Sequence, residues 1–351
     1  MLPQILSKAR FEKFVAFLMG SRRVVAPMAK GAQFAFADVE CPEDIARIRM
    51  DYDITILPPK KYMHPQHLAL LEFGGRKAES VHPAGLDVPP LAILGVHPYD
   101  LHGIATLDAA FAMDPSDPHY QARRKAALLI GTDIQSYAND QQFMADMKTI
   151  DAPAGGYDLF FTDLGDRYFV ETGSAAGETV LIRSLVFTPA RQDDFRAKTQ
   201  YDHAKAANLA KKLPYDTQYL PELLTGSYDS LLWDALSRNC FSCGTCTNVC
   251  PTCYCFDVLD RLNMDAASGQ RERMWDSCQL RTFAEVATGE NFREQRSSRL
   301  RHRIYRKGKF ILERTGRLGC VGCGRCIKHC VANISILEAF QQIADQAEID
   351  S

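Results

Sequence analysis

Eight cysteines fall into two runs of one spacing: Cys240, Cys243, Cys246 and Cys250 read C-x2-C-x2-C-x3-C, and Cys320, Cys323, Cys326 and Cys330 repeat it. Thiolates so spaced can grip iron. A tight loop turns three of them onto one face of a [4Fe-4S] cube, and the fourth reaches a second cube. That rule predicts two [4Fe-4S] clusters, one held by Cys240, Cys243, Cys246 and Cys330, the other by Cys320, Cys323, Cys326 and Cys250. A structural zinc site would instead draw well-separated pairs into one tetrahedron. A disulfide framework belongs to oxidising compartments and to shorter chains.

Three more cysteines lie close by in sequence: Cys253 and Cys255 directly after the first run, and Cys278 in Trp275-Asp-Ser-Cys278. Packing against the clusters is one reading, since free cysteine is commonly buried. A third iron–sulfur or other metal site is the alternative. Between Asn291 and Phe310, eight arginines and lysines face Glu294 alone. Guanidinium groups beside an anionic cluster raise its potential, so Arg299, Arg301 and Arg303 are candidates for potential tuning or for docking a partner. Base-stacking aromatics are not interleaved with this run, which argues against nucleic acid.

The elements that must position these residues divide by composition. The first 225 residues contain one cysteine, Cys41, and the remaining 126 contain eleven. Helical spacing in 231–236 leads into Cys240, recurs in Phe256 to Leu262, and returns in Ile334 to Ala344 after the second run. The 69 residues between Cys250 and Cys320 exceed what a compact bacterial ferredoxin inserts. Residues 226–351 therefore read as a helical, ferredoxin-like domain with an elaborated middle. Residues 1–225 read as an α/β domain with a connector. Short apolar runs predict strands at 24–26, 54–57, 91–96, 128–130, 159–162 and 168–170, and helices are expected at 7–19, 100–111 and 120–127. Asp163 to Arg167 suits a hairpin turn, and 189–226 a polar connector. The run from Gly95 to Gly103 lies where a strand gives way to a helix, the usual place for ligand contacts in an α/β sheet; its plainer reading is a turn in which Asp100 caps the helix.

With 351 residues, 46% of them hydrophobic, the chain can bury a large core, and a net charge of −2 is not that of a general nucleic-acid binder. No secretory or membrane-spanning segment is legible, so the expected setting is a reducing, anaerobic cytoplasm.

The first run continued through Pro251-Thr-Cys253-Tyr-Cys255, together with Trp275-Asp-Ser-Cys278, Asn291-Phe-Arg293 and the second run, resembles the iron–sulfur (beta or A) subunit of cytoplasmic sulfhydrogenases and anaerobic sulfite reductase. Gly95 to His102 and Tyr157 to Gly165 extend the resemblance into the first half. It implies a non-catalytic electron-transfer subunit working between an FAD-containing, NAD(P)H-oxidising flavoprotein and a [NiFe] hydrogenase or sulfite-reductase-type partner. Relatives often carry cysteines after the Leu-Ile-Gly strand. Ile130 to Ser136 has none, so a metal role there is not expected.

Overall fold

The computed structural model describes residues 2–74, 80–264 and 267–349. Its main sheet has eight strands in the order β10-β1-β9-β8-β7-β6-β2-β3. They are β1 (Gln4–Ser7), β2 (Arg23–Lys30), β3 (Gln33–Asp38), β6 (Leu91–Val96), β7 (Ala127–Thr132), β8 (Leu159–Asp163), β9 (Arg167–Thr172) and β10 (Thr188–Pro189). The four central strands, β2, β6, β7 and β8, are parallel; β1, β3, β9 and β10 pair antiparallel at the flanks.

Every residue of β6 and β7 is buried, as a parallel strand covered on both faces requires. Alternate residues serve opposite layers. Ala92, Leu94, Leu128, Ile130, Leu159 and Phe161 pack with Phe14 and Leu18 of the helix Phe11–Met19. Ile93, Leu129 and Phe160 pack with Leu101, Ile104 and Leu107 of the helix Pro98–Phe111. A one-residue slip would exchange these sets, so both layers fix the register.

A second, antiparallel sheet has the order β11-β12-β4-β5, from β4 (His67–Gly74), β5 (Val81–Pro83), β11 (Phe256–Leu262) and β12 (Ser268–Trp275). Because β12 pairs with β4, a hairpin from the cysteine-rich part completes a sheet begun in the first half. A third core joins Phe143, Leu220, Leu224 and Trp233 to Leu300, Ile304 and Phe340, the last from the helix Ile336–Ile349. No helix among the described residues is long and apolar enough to cross a membrane.

The fold is mixed α/β, and four local expectations need correction. Phe256 to Leu262 is a strand, not a helix. Its residues are exposed, so it has no helical face to bury, and Asp260 sits opposite Arg271, which donates two 2.7 Å hydrogen bonds to it. Ile54 to Leu57 makes only an isolated bridge through Thr55, because Pro58 and Pro59 follow and remove ladder donors. The stretch 189–226 contains a 17-residue helix, Gln192–Asn208. Asp194 accepts from the Arg191 N–H at its start, and Lys205, buried, bonds Asp133 and Asp151 at 2.6 and 2.8 Å. Finally, the expected opening helix begins at Phe11, since Gln4 to Ser7 form β1. The turn at Asp163 to Arg167 is as expected, with the Gly165 N–H donating to Asp163 Oδ1 at 2.8 Å.

Candidate metal centres

The two cysteine runs fold alike. In each, a glycine in the left-handed region, Gly244 or Gly324, opens a short helix, Thr245–Asn248 or Arg325–Lys328, and these helices pack together. The first sulfur of each run accepts from the backbone two residues on: Ser242 N donates to Cys240 Sγ at 3.4 Å, and Gly322 N to Cys320 Sγ at 3.5 Å. The second run also docks on the first half. Gly322, at φ +67°, leaves 2.6 Å between a built Cβ and the Phe143 carbonyl, and its own carbonyl accepts from Phe143 N at 2.9 Å. Only glycine fits that contact.

The sulfurs surround two neighbouring cavities. Cys240, Cys243, Cys246 and Cys330 line one; Cys250, Cys320 and Cys323 line the other; Cys326 borders both. Among the described residues, no three cysteine, histidine or acidic side chains converge closely enough to hold a single metal ion.

Buried cations stand around these cavities. Arg303 lines both, is 4% exposed, and leaves Nε without a partner. Lys307 is 2% exposed and donates to Thr252 Oγ1 at 2.6 Å. Lys60, equally buried, donates to the Cys253 carbonyl at 2.7 Å. None of the three has a carboxylate partner among the described residues, and buried charge without a counter-charge is costly. Burial lowers the Lys60 ammonium to about 8, against the pull of the Cys253 and Cys250 sulfurs. Burial likewise pushes the Cys246 thiol up to about 11 and the Cys323 thiol to about 12. Iron takes thiolates, so loading would release protons and supply the anion that these cations lack. The residues present fit iron–sulfur clusters.

Arg299, also buried, donates to Ser242 Oγ at 3.0 Å, so a surface role is closed to it and to Arg303. Arg301 is half-buried over the Tyr228 ring and donates to the Tyr228 carbonyl at 2.8 Å.

Residues 239–334 match the family model described as a 4Fe-4S dicluster domain. The chain is 32% identical over 336 residues to sulfhydrogenase 2 subunit beta of Pyrococcus furiosus, covering 95% of this chain and 96% of that protein. The chain belongs to the sulfhydrogenase beta-subunit family. The resemblance drawn from the cysteine runs is therefore correct, and the chain is an iron–sulfur protein.

In this beta-subunit chain the three surplus cysteines sit at the neck of the β11–β12 hairpin. The Cys255 and Cys278 thiols are electrostatic neighbours, as are those of Cys253 and Cys250, and Gln279 Nε2 lies 3.7 Å from Cys278 Sγ. Asp100, expected as a cap, is fully buried in the first turn of Pro98–Phe111, whose N-cap is His97. Its carboxylate accepts from Arg325 instead. Burial holds that carboxyl above the usual carboxylate range, although the Arg325 charge and its hydrogen bonds pull it partly back. The carboxyl ends of β6, β7 and β8 border a cleft of about 550 Å³. His97 stacks on Tyr52 there at 3.9 Å, and its Nδ1 lies 2.6 Å from the Tyr99 hydroxyl. Residues 132–136, the segment without cysteines, line the same cleft. Sequence reasoning missed Lys60, which is distant in the chain, and passed over Arg325, whose position inside a cysteine run looked like a spacer.

Proposed function

We propose that this subunit relays single electrons through two [4Fe-4S] clusters, held by Cys240, Cys243, Cys246 and Cys330 and by Cys320, Cys323, Cys326 and Cys250. The observation that carries this is the grouping of the eight cysteines around two adjoining cavities, with Cys326 and Arg303 bordering both and Arg303 lacking a carboxylate partner among the described residues. Each cluster, when bound, supplies reversible one-electron chemistry and no bond-making on a side chain. The residues do the rest. The thiolates ligate, backbone N–H groups at Ser242 and Gly322 donate to sulfur, and Arg303, Lys307 and Lys60 stabilise added negative charge in a dry site.

Electrons would pass between an NAD(P)H-linked flavoprotein and a hydrogenase or sulfite-reductase-type subunit. Nicotinamide yields a hydride, so a flavin elsewhere must split the pair into single steps. On this reading the isolated subunit accepts electrons from dithionite but does not turn over NADH, NADPH, sulfite or protons. Rates comparable with the assembled complex from the partner-free chain would overturn it.

A further inference from the structure

The two cavities differ in how they meet solvent. The one holding Cys250 is lined mostly by buried residues, with Val321 and Cys323 at 3% and 7% exposure. The other opens where Phe241 and Val331, one from each cysteine run, are 71% and 72% exposed, and Cys243 is itself exposed. Bulky apolar side chains held in water beside redox ligands gain nothing from the packing of this chain.

Cations collect beside them. Arg281 and Arg296 are exposed and lie within electrostatic reach of Arg299, which bonds Ser242 next to Phe241. Arg281 pairs with Glu294 at 2.8 Å, while Arg296 and the exposed Arg238, two residues before Cys240, have no carboxylate partner among the described residues. An apolar centre with a positive rim is the complement of an apolar patch ringed by carboxylates.

We propose that this face docks an acidic redox protein, seated on Phe241 and Val331 and steered by Arg238, Arg281 and Arg296; the proposal rests on the relay reading above. One electron leaves the partner's reduced centre, which is oxidised by one, and enters this chain beside Cys243. No bond breaks and no proton moves. Because tunnelling decays exponentially with distance, the cavity bordered by the exposed Cys243 is the port and the one lined by buried residues the inner station.

The test uses the full-length, cluster-loaded chain and a small acidic ferredoxin as probe, reading equilibrium binding and the second-order electron-transfer rate over a range of salt. For Arg281→Glu/Arg296→Glu, affinity and rate should each fall by about tenfold or more at low salt and the salt dependence should flatten. Visible spectrum and dithionite reduction should stay as in the parent. Val331→Ser, which leaves the charges alone, should weaken binding without changing its salt dependence. Unaltered affinity in both variants with intact clusters overturns the proposal, as does a homodimer through this face that the charge reversal disperses. Failure of the parent chain to take electrons from dithionite would instead bring down the relay reading, and this proposal with it.

Discussion

Arg325 and Asp100 form a completely buried, two-bond ion pair, with Nη1 and Nη2 donating to the two carboxylate oxygens at 2.6 and 2.7 Å. Arg325 sits between Cys323 and Cys326 of the second run, and Asp100 lies in the first turn of the helix after β6. Nε and Nη2 of Arg325 also bond Thr55 at 2.8 and 3.0 Å. The second cysteine run is thus fastened to the parallel sheet. Removing one partner strands a buried charge, so Arg325→Met should cost roughly 3–5 kcal/mol in anaerobic urea unfolding. Arg325→Met/Asp100→Leu should recover part of it. A loss below about 1 kcal/mol in the single variant would show that the pair does not hold the halves together.

Arg303 should tune potential. Placed between both cavities without an acidic partner among the described residues, it favours the reduced, more negative state of whatever the thiolates hold. Arg303→Met should lower the reduction potentials by roughly 50–90 mV, the equivalent of about 1–2 kcal/mol per electron at an effective dielectric near 20–40. Redox titration followed by EPR reads this directly. Unchanged potentials with full iron content would remove Arg303 from the account.

Cys253, Cys255 and Cys278 are expected to pack without binding metal, given the burial of Cys253 and Cys278. The triple serine variant should keep its full iron and lose stability through buried hydroxyls that lack thiol packing, by about 1–3 kcal/mol in total. Iron below that of the parent, or zinc in the parent and none in the variant, would mean a third site.

Acid should weaken the fold through buried histidines. Burial, aided by Arg273 and Lys60, holds His64 at about 3, well below its ordinary 6.5; His97 is held low by burial and Arg325. Both are neutral when folded and charge more readily when unfolded. Their contribution is present above about 6.5 and is lost as pH falls below that, for His64 down to about 3, by up to about 1.4 kcal/mol per pH unit. His64→Phe should flatten this slope between pH 6 and 4 in denaturant titrations. An unchanged slope would show that His64 is not the source.

What the sequence made legible follows period and proximity. The buried runs of β6, β7 and β8 announce themselves by apolar continuity, and the dicluster domain by the spacing of its cysteines. Phe256 to Leu262 misled because its apolar residues fit a helical period as well as a pleated one, and the pairing that decides between them, Asp260 opposite Arg271, lies across a turn. Lys60 is invisible for another reason: it reaches the Cys253 carbonyl from 193 residues away, and no local pattern encodes that contact. Arg299, Arg301 and Arg303 are adjacent in a basic run, yet the helix Arg296–Tyr305 buries two and leaves the third half-buried on the Tyr228 ring.

On the relay reading this chain carries two clusters and passes electrons singly. Anaerobically purified protein, assayed for iron and acid-labile sulfide and then titrated electrochemically, tests it most directly. The account predicts about eight irons and eight sulfides per chain, with two one-electron waves. About four irons and a single wave, or zinc in place of iron, would contradict it.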